Sequence, residues 1–212
     1  MQYQYIAIEG NIGVGKSTLS TLLAKHYNAR LILEEYADNN FLPKFYQDRE
    51  RYAFPLELSF LADRFKQFKR TLLQQELFHE KTIADYHFIK SKLFARVNLP
   101  DDEYELFENL FDIAASNLPQ PELLIYLHAP ISKLQENIKK RNRSYELQIP
   151  DAYLESIQAT YQEYLKTHQQ KTLFVDVSHA DFLQNPEQLQ QVIAALEGVE
   201  NAAYTYLEVG KK

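Results

Sequence analysis

The chain has 212 residues and a formal net charge of −6, with basic and acidic side chains mixed along its length and no cysteine. That balance argues against nucleic acid or an anionic membrane as a partner, and the missing thiol excludes disulfides, thiolate nucleophiles and Cys–metal sites. Apolar residues make up 45% of the chain, enough for one sizeable core, and with no linker, repeat or low-complexity tract a single domain over residues 1–212 is expected.

In chain order, residues 3–9 read as a buried strand. Residues 16–27 carry Leu19, Leu22, Leu23 and Tyr27 at helical spacing. A second strand over 30–34 ends in Glu34-Glu35, and Asp38-Asn39-Asn40 opens a helical segment with Phe41, Leu42, Phe45 and Tyr46. A long helix is expected from Phe54, with Pro55 in its first turn and an apolar face of Phe54, Leu58, Leu61, Phe65, Phe68 and Leu72. A third strand, 82–85, ends in Asp85, and helices follow over 88–96 and 101–118. Residues 122–127 form a fourth strand, apolar on both sides as a central parallel strand should be. A helix over 131–141 runs into the basic stretch Lys139-Lys140-Arg141-Asn142-Arg143. Then come a helix over 151–168, with Asp151 as its cap after Pro150, a fifth strand over 172–177 and a helix over 186–196. Residues 199–212 carry no assignment. The alternation predicts an α/β fold, a five-stranded parallel sheet flanked by helices with a short basic lid at about 139–149. No apolar run approaches the ~20 residues a membrane span needs. The first residues lead straight into a strand, so no signal peptide is expected and the cytoplasm is the expected compartment.

Between the first strand and its helix lies Gly10-Asn11-Ile12-Gly13-Val14-Gly15-Lys16-Ser17-Thr18, matching G-x-x-x-x-G-K-[ST] at every fixed position. Three of the five glycines of the chain sit in this loop. Glycines there let backbone N–H groups turn inward around phosphate oxygens at the positive end of a helix. Lys16 would reach the β- and γ-phosphates and the Ser17 hydroxyl would ligate Mg²⁺. Guanine-reading N-K-x-D and switch-forming D-x-x-G are both absent. Charged and aromatic residues at strand ends, with a basic lid, suit γ-phosphoryl transfer to a small molecule.

These motifs resemble the deoxynucleoside kinases over nearly the whole chain. The resemblance runs through Ile8 to Thr18, then Glu34 with Asp38-Asn39-Asn40-Phe41-Leu42 and Phe45-Tyr46. It continues through Phe60-Leu61-Ala62-Asp63-Arg64-Phe65-Lys66-Gln67 and Ile83-Ala84-Asp85-Tyr86-His87, and closes with Lys140-Arg141-Asn142-Arg143 ahead of Glu146. The Asp-Tyr-His triplet and Glu57 look most like the bacterial deoxyguanosine kinase branch. The resemblance implies a phosphate-loop kinase fold, ATP as donor, Mg²⁺, a deoxynucleoside acceptor and a homodimer, for which the segment 103–118 could supply the surface.

It also implies roles. Glu34 is the candidate general base for the nucleoside 5′-hydroxyl, with Glu35 the alternative in a register shifted by one. Asp85 would hold Mg²⁺ through water. Relatives commonly carry Arg where Tyr86 stands, so either the lid arginines or Arg64 cover that cationic role, or Tyr86 supplies only a hydrogen bond. Arg141 and Arg143 match lid arginines that clamp donor phosphates, and Asn137 stands where relatives often have another Arg. Tyr46 and Glu146 match residues that hold the sugar 3′-hydroxyl, while Arg64 and Glu57 match the positions that read the base. His87 would neighbour the pocket. Other readings are a deoxyadenosine or deoxycytidine kinase, a nucleoside monophosphate kinase such as thymidylate kinase, and a non-catalytic nucleotide-binding subunit.

Overall fold

The computed structural model describes residues 2–35, 39–72, 80–199 and 203–211. The expectation at Asp38 lies outside these residues. Among them the chain runs β1 (Tyr5–Gly10), α1 (Lys16–Tyr27), β2 (Arg30–Ile32), α2 (Leu42–Gln47), α3 (Arg49–Leu72) and β3 (Thr82–Ala84). It continues with α4 (Lys90–Asn98), α5 (Asp101–Ala115), β4 (Leu123–His128), α6 (Ile131–Arg141) and α7 (Asp151–Thr167), then β5 (Thr172–Asp176), α8 (Pro186–Gly198) and β6 (Tyr204–Glu208).

The strands form one parallel sheet in the order β2-β3-β1-β4-β5-β6. Every residue of β1 is buried, as fits a central strand whose Ile6-Ala7-Ile8 run packs on both sides. Helices α1 and α8 pack together and on the sheet, and α4 packs against α3, α5 and α7. From β1 the chain passes to β2 and then β3 on one side of it, and from β3 it crosses β1 to β4 on the other. The loop after β1 therefore opens at the switch point where α/β sheets take ligands.

Four details differ from the sequence-based expectation. The sheet has six strands, not five: residues 204–208, in the tail left unassigned, pair with β5 from Thr172↔Tyr204 to Asp176↔Glu208. This edge strand exposes Tyr204 and Tyr206, so its pattern is only half apolar and long-range pairing defines it. Helix α3 starts at Arg49, before Pro55, which lies inside it. The Asp48 carboxylate accepts the Arg51 N–H at 3.2 Å, the bond an N-cap residue makes. The buried stripe of α3 is also rotated from the apolar one, running through Leu56, Glu57, Phe60, Leu61, Arg64, Gln67 and Phe68, while Leu58 is exposed. Three polar residues occupy that stripe because it faces a polar cleft. Asp151 does not cap α7; Pro150 precedes the first turn, and the Asp151 carboxylate accepts Gln135 Nε2–H at 2.8 Å.

Candidate active site

A cleft of about 1060 Å³ opens along the carboxyl ends of β1, β2 and β3. Its phosphate end is the loop 10–18. Gly10 and Gly13 have φ of 143° and 81°, and a Cβ there would lie 2.5 Å from Leu127 O and 2.8 Å from Leu134 O. Only glycine fits both the conformation and the space. Lys16 Nζ donates to Gly10 O at 2.8 Å and Asn11 O at 2.9 Å, inside the loop. Burial, then the charge of Lys90, draws its ammonium down to about 8. Asn137 Nδ2 donates to Gly13 O at 2.8 Å, so the residue at that lid position latches α6 to the loop.

Asp85 joins the two ends of the site. Its Oδ2 accepts the Ser17 hydroxyl at 2.6 Å and its Oδ1 accepts the Glu34 backbone N–H at 2.7 Å. Burial raises its carboxyl above the usual value. A hydroxyl beside a carboxylate is an oxygen donor set of the kind hard cations take. No group of three or more His, Cys, Asp or Glu is clustered for a metal among the described residues.

Beyond β2 the Glu34 side chain is 12% exposed and bound at both oxygens. Oε1 accepts Arg64 Nε–H at 2.9 Å and the Arg64 NH2 group at 2.6 Å, and Oε2 accepts Lys90 Nζ at 2.5 Å. Burial opposes its ionisation, but Lys90 and then Arg64 more than offset this and hold it well below the usual carboxylate range. Gln67 Nε2 donates to Leu33 O at 2.7 Å and steadies the same loop from α3. Glu35 instead pairs at the surface with Arg70, at 2.7 Å.

Deeper in the cleft, Glu57 is 2% exposed. Its Oε1 accepts Asn98 Nδ2–H at 2.6 Å, and its buried Oε2 has no hydrogen-bond partner among the described residues. Burial lifts this carboxyl to about 7. Because α3 begins at Arg49, Glu57 lies well beyond the first turn and gains nothing from the helix N-terminus. Tyr46 lines the cleft with its ring stacked on Tyr145, centroids 6.1 Å apart. The lid folds on itself: buried Glu146 accepts Arg141, and Arg143 at 3.2 Å.

Every sequence-predicted site residue except His87 thus borders this cleft or lies in its loop, though some partners differ from the expected ones. Arg64 grips Glu34, and Glu146 holds the lid arginines. Tyr86 is a core residue, fully buried, its hydroxyl donating to Gln67 and its ring edge-on to Phe68 at 4.9 Å. His87 does not line the cleft; burial pushes its imidazole down to about 4, and Nε2 lies 3.0 Å from Gln120 Oε1.

Three residues escaped the sequence reading. Lys90 and Asn98, at the two ends of α4, looked like ordinary helix-end residues. Glu9 carried a visible signal, an acid closing a buried strand. It is fully buried and accepts the His87 N–H at 2.7 Å and the Tyr161 hydroxyl at 2.7 Å, bracing the loop from behind.

A glycine-rich loop at the switch point, a lysine within it and carboxylates at neighbouring strand ends define a phosphate-loop phosphoryl-transfer enzyme. The family model for deoxynucleoside kinase matches residues 6–199, and the chain belongs to that family. Deoxyguanosine kinase of Bacillus subtilis is 34% identical over 90% of this chain and 94% of its own length. Deoxyadenosine kinase of Dictyostelium discoideum is 32% identical, covering 90% and 78%. Among solved structures, a deoxyadenosine kinase from M. mycoides with bound dATP matches with a TM-score of 0.78 and 25% identity, over 91% of this chain and 98% of the other. No helix among the described residues is long and apolar enough to cross a membrane.

Proposed function

We propose that the chain is an ATP-dependent kinase of the 5′-hydroxyl of deoxyguanosine, acting as one domain. The observation that carries this reading is the buried Oε2 of Glu57 in the cleft, which has no hydrogen-bond partner among the described residues. A carboxylate offers only acceptors. Guanine presents two adjacent donors, N1–H and the 2-amino group, which both oxygens of Glu57 can take. Adenine would set its N1 lone pair against the negative charge. The Bacillus subtilis deoxyguanosine kinase among the relatives supports the same choice.

Glu34 takes the proton of the 5′-hydroxyl as the 5′-oxygen bonds to the γ-phosphorus and the bond from that phosphorus to the β,γ-bridging oxygen breaks, releasing ADP. Lys16, Arg141 and Arg143 bind the donor phosphates and stabilise the charge that develops on them. Ser17 and Asp85 would hold Mg²⁺, which when bound supplies electrophilic neutralisation of phosphate charge. Tyr46 and Glu146 orient the sugar. Two such chains would pair through α5, where Leu106, Leu110 and Ile113 are exposed.

A coupled ADP-release assay across the four deoxynucleosides and deoxynucleoside monophosphates tests the reading. Deoxyguanosine should give the highest kcat/KM. Preference for deoxyadenosine or deoxycytidine would refute the guanine assignment, and preference for a monophosphate would refute the 5′-hydroxyl acceptor.

A further inference from the structure

The two oxygens of Glu34 are held in different ways. Oε1 is fixed by two donors of one guanidinium, and Arg64 is itself pinned, donating to Ser91 Oγ at 2.8 Å and lying over the Phe60 ring at 4.7 Å. Oε2 meets the ammonium of Lys90, a compact charge on a flexible stem, at 2.5 Å and 9% side-chain exposure. Lys90 is the first residue of α4, five positions after Asp85, and lines the cleft. Tyr86, directly after Asp85, is turned into the core and brings no cation here.

We propose that Lys90 is a positioning residue for phosphoryl transfer: its ammonium holds Oε2, the oxygen that Arg64 leaves free, directed at the acceptor hydroxyl. This rests on Glu34 being the base. Arg64 binds with the rigidity of a fork, so Oε1 stays committed throughout the cycle, whereas one ammonium contact yields readily to an incoming hydroxyl. The charges facing Glu34 are Arg64 and Glu57 from α3, Lys90 from α4, Lys16 from α1, and Asp85 with Tyr86 after β3. Of these, Lys90 and Arg64 stabilise the carboxylate most, and both touch it. Without the ammonium, Oε2 is free to turn away from the acceptor, so its loss falls on kcat rather than on donor binding.

The test is kcat and KM for deoxynucleoside phosphorylation in wild type, Lys90→Met, Lys90→Arg, Glu34→Gln and the double variant Lys90→Met with Glu34→Gln, with folding checked by thermal melting. Lys90→Met should lower kcat by less than the ~10²–10⁴-fold cost of removing the base, leaving KM for ATP unchanged. Lys90→Arg, which keeps the charge and the donor, should recover part of the lost kcat. In the double variant the loss should not exceed that of Glu34→Gln alone, since Lys90 acts through Glu34. Unchanged kcat in Lys90→Met, or losses that add in the double variant, with Glu34→Gln inactive, would overturn the role of Lys90 alone. Normal turnover in Glu34→Gln overturns the base assignment, and the Lys90 role with it.

Discussion

The two ends of the cleft are built in different ways. The phosphate end is local: Gly10 to Thr18 supplies the turn, the lysine and the hydroxyl within one strand–loop–helix unit, with Asp85 as a distant partner. The acceptor end is assembled from the β2–α2 loop, α3 and α4, and each important contact spans tens of residues: Glu34 with Arg64 and Lys90, Glu57 with Asn98. On the proposed reading, binding phosphate requires a motif, whereas choosing and activating the acceptor requires the fold. Substitutions at the two ends should therefore fail differently.

The largest effects should come from Lys16→Ala and Glu34→Gln. Loss of the general base costs about 10²–10⁴-fold in kcat, with ATP affinity retained, because Glu34 acts on the acceptor alone. Lys16→Ala should lose both turnover and ATP affinity, since its charge serves donor binding throughout. Measured kcat alongside ATP titration separates the two. If Glu35→Gln, and not Glu34→Gln, loses the rate, the base is the neighbouring residue.

The lid comes next. Arg141→Ala and Arg143→Ala should each lower kcat by about 10²-fold while raising the nucleoside KM little, because they act on charge developing at the transferring group. Loss of nucleoside affinity at constant kcat would place them at the sugar instead, through Glu146.

A pH effect should then distinguish the base-reading region from the rest. The Glu57 carboxyl, lifted by burial to about 7, is neutral below that pH and charged above it. Neutral, it offers one donor and one acceptor, as glutamine would; charged, it offers two acceptors. The kcat/KM ratio of deoxyguanosine to deoxyadenosine should therefore rise as pH climbs through 7, by about tenfold for each 1.4 kcal/mol of discrimination gained, while in Glu57→Gln it stays flat. The smallest effect belongs to Asn98→Ala. Asn98 donates to Glu57 and favours its charged form, so this variant should displace the rise in that ratio to higher pH, with kcat for deoxyguanosine at high pH little changed.

Legibility in the sequence followed the same division. The loop 10–18 is readable because its chemistry is bound to one short spacing, whereas the roles given to Glu34, Asp85, Arg141 and Arg143 come from the resemblance to the deoxynucleoside kinases. The α3 stripe was misphased because Glu57, Arg64 and Gln67 are buried polar residues, which an apolar count cannot find. Lys90 and Asn98 gave no local sign, since a helix-end lysine or asparagine is ordinary until the fold sets a carboxylate against it. The sixth strand stayed hidden because β5, not its own pattern, makes it a strand.

The central claim is that Glu57 selects the base. The most direct measurement is the ratio of kcat/KM for deoxyguanosine to that for deoxyadenosine, at a pH above 7, in wild type and Glu57→Gln. Wild type should favour deoxyguanosine, by a factor that polar mismatch can carry to about 10⁴–10⁵, and Glu57→Gln should move the preference towards deoxyadenosine. A ratio unchanged by the substitution would contradict the account.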